Sequence, residues 1–140
     1  MQRAGSIILT IWGGINCFLA SLILIFVIFF NKAPILVMVF EKSEISGLDT
    51  RFISAINCLA ILYNSCAAAL SVLVLFVIWS SLIKGQRWAF WALLITIGFV
   101  QALAFIGSAA IGNQRWQVNI VLSALYVVGI GLSGYSMFKR

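Results

Sequence analysis

The stretch IILTIWGGINCFLASLILIFVIFF, residues 7–30, carries no charged side chain. A helix rises ~1.5 Å per residue, so about 20 mostly apolar residues cross a hydrocarbon core ~30 Å thick. Residues 7–30 meet that requirement. The strict alternation of a membrane β-strand is absent, which argues against a barrel. Three further stretches read the same way, at about 52–83, 88–111 and 118–138. Only helices and closed barrels satisfy every backbone group inside lipid. The expected fold class is therefore all-α: an integral-membrane four-helix up-down bundle, one domain over residues 1–140 with an outer loop at 31–51.

Composition agrees. The chain is 64% hydrophobic and 9% charged, with one proline in 140 residues. Soluble domains run nearer ~45–50% apolar and ~25% charged. The second stretch is longer than a span needs, so it either tilts or extends past the membrane. Its first turn, near Arg51 and Phe52, is expected among the headgroups.

A net charge of +6 on a soluble domain would suggest a nucleic-acid partner. Here the Lys and Arg residues stand at 3, 32, 42, 51, 84, 87, 115, 139 and 140, in termini, loops or helix ends. They read as membrane flanks, so membrane lipid is the expected partner and nucleic acid is not. Short-loop Lys and Arg set orientation. Arg3, Lys84, Arg87, Lys139 and Arg140 fall on one side, against Lys32, Lys42, Arg51 and Arg115 on the other. The first side, with both termini, is expected in the cytoplasm. Arg3 followed by a long apolar run reads as an uncleaved first span rather than a cleavable signal, whose apolar region is ~7–15 residues.

The connections Lys84–Arg87 and Gly112–Arg115 are short, which makes their helices antiparallel neighbours. Each link ends in Gln-Arg-Trp, as Gln86-Arg87-Trp88 and Gln114-Arg115-Trp116. Trp sits at the membrane–water boundary and Arg reaches headgroup phosphates. Arg87, Trp88, Arg115 and Trp116 are the expected interface anchors, with Trp91, Trp12 and Trp79 added to the belt. The outer loop holds Pro34, the apolar run Ile35–Phe40, and the acids Glu41, Glu44 and Asp49. The run either lies in the leaflet surface or lids the bundle. Asp49 or Thr50 is placed to cap the second helix.

Little else looks chemical. There is no histidine, and no charged residue lies inside the spans. General acid–base and nucleophilic catalysis need titratable partners, and three scattered Cys without His are a poor metal set. No enzymatic activity, catalytic residue, metal or cofactor is expected. Neutral polar residues remain, arranged in stripes at helical spacing. These are Gly13, Asn16, Cys17, Ala20 and Ser21; Asn57, Ala60, Asn64, Ala67, Ala68 and Ser71; Gln101, Ala104, Ser108 and Gly112; and Asn119, Ser123 and Tyr126, followed by Gly129, Gly131 and Gly134. Small residues let membrane helices approach and amides bond between them. The stripes are either packing seams or the lining of a polar crevice. In the second case Asn16, Asn64 and Gln101, nearest mid-membrane, and Tyr63 are the candidate ligand-binding residues.

The triplet Ile-Asn-Cys occurs twice, at 15–17 and 56–58. Centring the spans near residues 18 and 67 puts Asn57 on the order of 18 Å further out than Asn16. Asn57 is then expected to meet water or headgroups. Cys17 and Cys66 differ in depth by only about 3 Å, but small packing thiols are expected rather than a disulfide.

Residues 84–94, KGQRWAFWALL, resemble the basic-aromatic start of the third span in small four-helix bacterial inner-membrane proteins, including DoxX-like ones. The resemblance covers about a tenth of the chain and the general layout. It implies a bacterial inner membrane and no defined activity. The expected function is that of a non-enzymatic packing or accessory subunit or a homo-oligomer. The alternative is a binder or facilitator of a lipid-like or uncharged small solute.

Overall fold

The computed structural model describes residues 2–30, 36, 44, 45, 47–110 and 116–139, and for 108–110 and 116–118 the backbone alone. Among the described residues the chain is all-α, with four long helices: α1 (Gln2–Phe30), α2 (Thr50–Val77, prolonged by a π-helical turn Ile78–Leu82), α3 (Arg87–Ala110) and α4 (Trp116–Phe138). Each is long and apolar enough to cross a membrane. The α1 helix begins at Gln2, ahead of the apolar run, and continues unbroken through Gly5, which packs against α4. Pro34, most of the run Ile35–Phe40, Glu41 and the Gly112–Arg115 link, with the anchor Arg115, lie outside the described residues, as do the side chains of Ser108 and Trp116.

The chain divides into two compact units, Met1–Ile15 with Val72–Arg140, and Asn16–Ser71. Both α1 and α2 contribute to each.

In the first unit the neighbours run antiparallel. Gln2 meets Leu82 of α2, and Gly13 meets Leu75 of the same helix. Gly5 meets Gly129 and Ser133 of α4, and Trp12 meets Tyr126. Leu94, Gln101 and Phe90 of α3 meet Tyr126, Ser123 and Gly134 of α4, respectively. Small residues set the closest approaches. A Cβ on Gly5 would lie 2.8 Å from the Gly129 carbonyl oxygen, and one on Gly129 would lie 2.8 Å from Leu9 Cγ. Such contacts are what small residues permit between membrane helices. Leu9, Trp12, Ile78, Leu82, Leu93, Ile97, Tyr126 and Ile130 fill this unit's core.

The end of α2 explains its π turn. The Ile83 N–H donates to the Ile78 carbonyl (3.0 Å), Gly85 N–H to Leu82 (2.9 Å) and Gln86 N–H to Ser81 (3.2 Å). This is a Schellman closure, with Gly85 at φ 78° in the left-handed region that glycine enters without steric cost. The wider π turn puts Ile78, Ser81 and Leu82 all inward.

In the second unit Val27 and the loop residue Leu36 are buried together, against Ile23, Ile45, Leu48, Ile53, Ile56, Ala60 and Ile61. Leu36 thus tucks into its unit instead of lying on the leaflet surface. Asp49 caps α2: its Oδ1 accepts the Arg51 N–H at 3.0 Å, satisfying a first-turn donor.

Candidate functional site

The α2 stripe is the buried face of that helix. Asn57, Asn64 and Ser71 are 4%, 7% and 6% exposed, at the seven-residue spacing that repeats every two turns. Burying an amide in an apolar medium without a partner is costly. Asn64 avoids this by donating from Nδ2 to the Ala60 carbonyl one turn back, at 2.7 Å, and Ser71 donates to the Ala67 carbonyl at 2.8 Å. Such back-bonds turn a polar side chain onto its own helix. Asn57 corrects the sequence expectation: it is buried within its unit, not turned to water, because it lies on the same face as Asn64. Asn16 is half-buried, and Asn16 and Asn57 each take part in a further interaction.

Of the four candidate ligand-binding residues, Asn16, Tyr63 and Asn64 belong to the second unit and Gln101 to the first. Gln101 Oε1 accepts the Ser123 hydroxyl at 2.9 Å, which joins α3 to α4. Tyr63 is 68% exposed and points away from the buried stripe. Three residues beyond Ser123, Tyr126 is buried where Tyr63 is not: its hydroxyl donates to the Leu94 carbonyl at 2.8 Å and closes against Gly98. Its ring tilts onto Trp12, centroids 6.2 Å apart. Trp12 is therefore a core residue and not part of the interfacial belt, a correction that follows from its seat beside Gly13 on the inward face of α1. Cys58 and Cys66 are exposed and Cys17 partly so, all as free thiols. The two exposed thiols face outward.

The anchors of the Lys84–Arg87 link occupy one end of the first unit. Arg87 and Trp88 are exposed. The Arg87 guanidinium lies 5.7 Å over the Phe138 ring. Phe138 in turn meets Phe90 and Trp91 edge-on, at 5.5 and 6.2 Å. Trp88 Nε1 donates to Gln86 Oε1 at 2.8 Å, which fixes the indole. Lys139 Nζ lies 4.7 Å over the Tyr135 ring and donates to its hydroxyl. At the same end Gln2 Nε2 donates to the Leu82 carbonyl at 2.7 Å, a second donor beside the Gly85 N–H on the same oxygen. Sequence reading missed Gln2 and Phe138. Gln2 acts through a contact 80 residues away in sequence, and Phe138 reads only as another apolar residue. Gly85 had a local signal, glycine just past an apolar helix.

No protein-family model, curated protein or solved structure matches the chain.

Proposed function

We propose that the chain is a non-enzymatic multi-pass protein of a bacterial inner membrane that acts by helix packing, with a second copy of itself or as an accessory subunit of another membrane protein, both termini in the cytoplasm. The observation that carries this reading is the use of the stripe's polar groups. Asn64 and Ser71 bond carbonyls of their own helix, and Ser123 and Gln101 bond each other across a seam. The Ser123–Gln101 bond joins α3 to α4, and the back-bonded Asn64 and Ser71 leave the buried face of α2 free of unsatisfied polar groups. The wide apolar faces, with Phe29 76% and Phe76 71% exposed, suit lipid and other helices. The Lys/Arg bias supports the cytoplasmic termini, and the DoxX-like opening of α3 supports the bacterial inner membrane. Excision of the protein from its native membrane in polymer nanodiscs, followed by mass measurement, tests the reading. A fixed multiple of the chain, or a fixed ratio to another membrane protein, is expected. A lone chain would count against it.

One observation favours a second reading, in which the protein holds a lipid-like or uncharged solute: two buried asparagines, Asn57 and Asn64, stand two turns apart on one face of α2. Asn64→Leu separates the two. If the folded variant retains every small molecule that co-purifies with the parent, the crevice is excluded.

A further inference from the structure

The first unit contains no Asp or Glu at all, since the acids stand at 41, 44 and 49. Its described cations, Arg3, Lys84, Arg87 and Lys139, are all exposed, and contacts bring them to one end. The Gln2 carboxamide bonds the Leu82 carbonyl and reaches the Ile83 carbonyl at 3.4 Å, so the first turn of α1, which carries Arg3, meets the end of α2, which leads into Lys84. Lys84 and Arg87 flank the same tight turn, closed by Gly85. Arg87 covers Phe138, the residue before Lys139. Two of the four cations rest on aromatic rings, Arg87 on Phe138 and Lys139 on Tyr135. That seat leaves part of each charge facing outward while limiting its freedom.

A second, independent feature marks the same end. Trp79, Trp88 and Trp91 are 63%, 56% and 51% exposed, and all three lie within the last turns of α2 or the first turns of α3. Exposed indoles on membrane helices sit at headgroup depth. The cations beside them are therefore at the depth of lipid phosphates, in a unit with no Asp or Glu side chain to neutralise them.

We infer that this end of the first unit is a binding site for anionic phospholipid headgroups, with Lys84 and Arg87 taking the phosphate and Arg3 and Lys139 supporting it. Arg offers a planar donor fork to phosphate and Lys a point charge. The site requires the chain to lie in a bilayer but does not require any assembly state.

The full chain is reconstituted in nanodiscs of phosphatidylglycerol and phosphatidylcholine with identical acyl chains, then released for native mass spectrometry. Retained lipid is expected to be enriched in phosphatidylglycerol, since each basic side chain near an anionic surface favours it by a factor of about five. Lys84→Gln, which leaves every packed contact in place, should lower the enrichment about fivefold, and Lys84→Gln with Arg87→Gln roughly tenfold or more. Arg51→Gln, a single cation outside the cluster, should lower it by less than Lys84→Gln. Equal retention of the two lipids, or enrichment that Lys84→Gln does not reduce, overturns the site. Loss of the retained lipid in excess inorganic phosphate would reassign it to free phosphate and overturn the lipid. The same spectra report subunit number, so failure of the lipid site and failure of the packing function are read separately.

Discussion

The carboxamide of Gln2 donates a 2.7 Å hydrogen bond to the carbonyl of Leu82 and thereby ties the first turn of α1 to the last turn of α2. The same side chain stands over Gly85, where an added Cβ would lie 3.1 Å from Gln2 Nε2. Gln2→Ala should lower stability in mild detergent by about 0.5–1.5 kcal/mol. Gly85→Ala should cost about 1–2 kcal/mol, because φ is 78° and an L side chain is strained there. Gly85→Asn should cost less than Gly85→Ala, since Asn tolerates the left-handed region. Reversible unfolding followed by tryptophan fluorescence checks all three; equal stability of Gly85→Ala and the parent would remove the Schellman closure from the explanation.

The α1–α4 seam predicts a contrast among glycines. A Cβ on Gly5 collides with Ser133 and with the Gly129 carbonyl, and one on Gly129 lies 2.9 Å from Leu9 Cδ2. Each glycine-to-alanine change should cost about 1–3 kcal/mol through overpacking. Gly14 and Gly131 have nothing within 4 Å of such a Cβ. Gly14→Ala and Gly131→Ala should be neutral or stabilise by about 0.4–1 kcal/mol through the unfolded chain. Thermal midpoints of the four variants in one detergent decide the matter.

Ser133 gives a prediction of opposite sign. Its side chain is 0% exposed and its hydroxyl has no partner among the described residues. A buried, unsatisfied hydroxyl costs free energy, so its removal should help. Ser133→Ala is expected to be neutral or stabilising by up to about 1 kcal/mol, and a loss beyond that range in the same unfolding measurement would reveal a hydrogen bond essential to the seam.

The orientation is open to thiol chemistry. In a background with Cys17, Cys58 and Cys66 replaced by alanine, Lys84→Cys should react with a membrane-impermeant maleimide only in inverted vesicles. Lys42→Cys should react only in right-side-out ones. The reverse pattern would invert the placement drawn from the Lys/Arg bias.

How much of this was legible from sequence differs by feature. The spans were, because lipid imposes a length and polarity test that each stretch passes alone. The α2 stripe was legible from its 60, 64, 67, 68, 71 spacing, though the burial of Asn57 on the same face was not, and the Asp49 cap was legible from its position just before an apolar run. Tyr63 and Trp12 were not. Each is an aromatic with a polar edge, suited equally to the membrane boundary and to a packed interior, and only the neighbours across the helix decide between them. Trp12 has Tyr126 there, and Tyr63 faces outward. The π turn also left no local mark, since Ile78-Trp79-Ser80-Ser81-Leu82 reads as ordinary helix until the Gln2 and Gly85 contacts are seen.

Asn64 separates packing from ligand binding. Its amide is satisfied within α2, and interhelical amide bonds in membranes average only about 0.6 kcal/mol. Asn64→Leu should therefore fold with a stability within about 1 kcal/mol of the parent, read by the same unfolding assay, and should bring no loss of co-purifying lipid by mass spectrometry.

The most direct measurement counts chains. The protein, labelled at one engineered surface cysteine in the cysteine-free background, is excised from its native membrane in polymer nanodiscs and counted by single-molecule photobleaching, with the co-excised proteins identified. A helix-packing protein predicts a fixed number of chains above one, or one chain with another membrane protein in constant ratio. A single chain with no constant protein companion would contradict it.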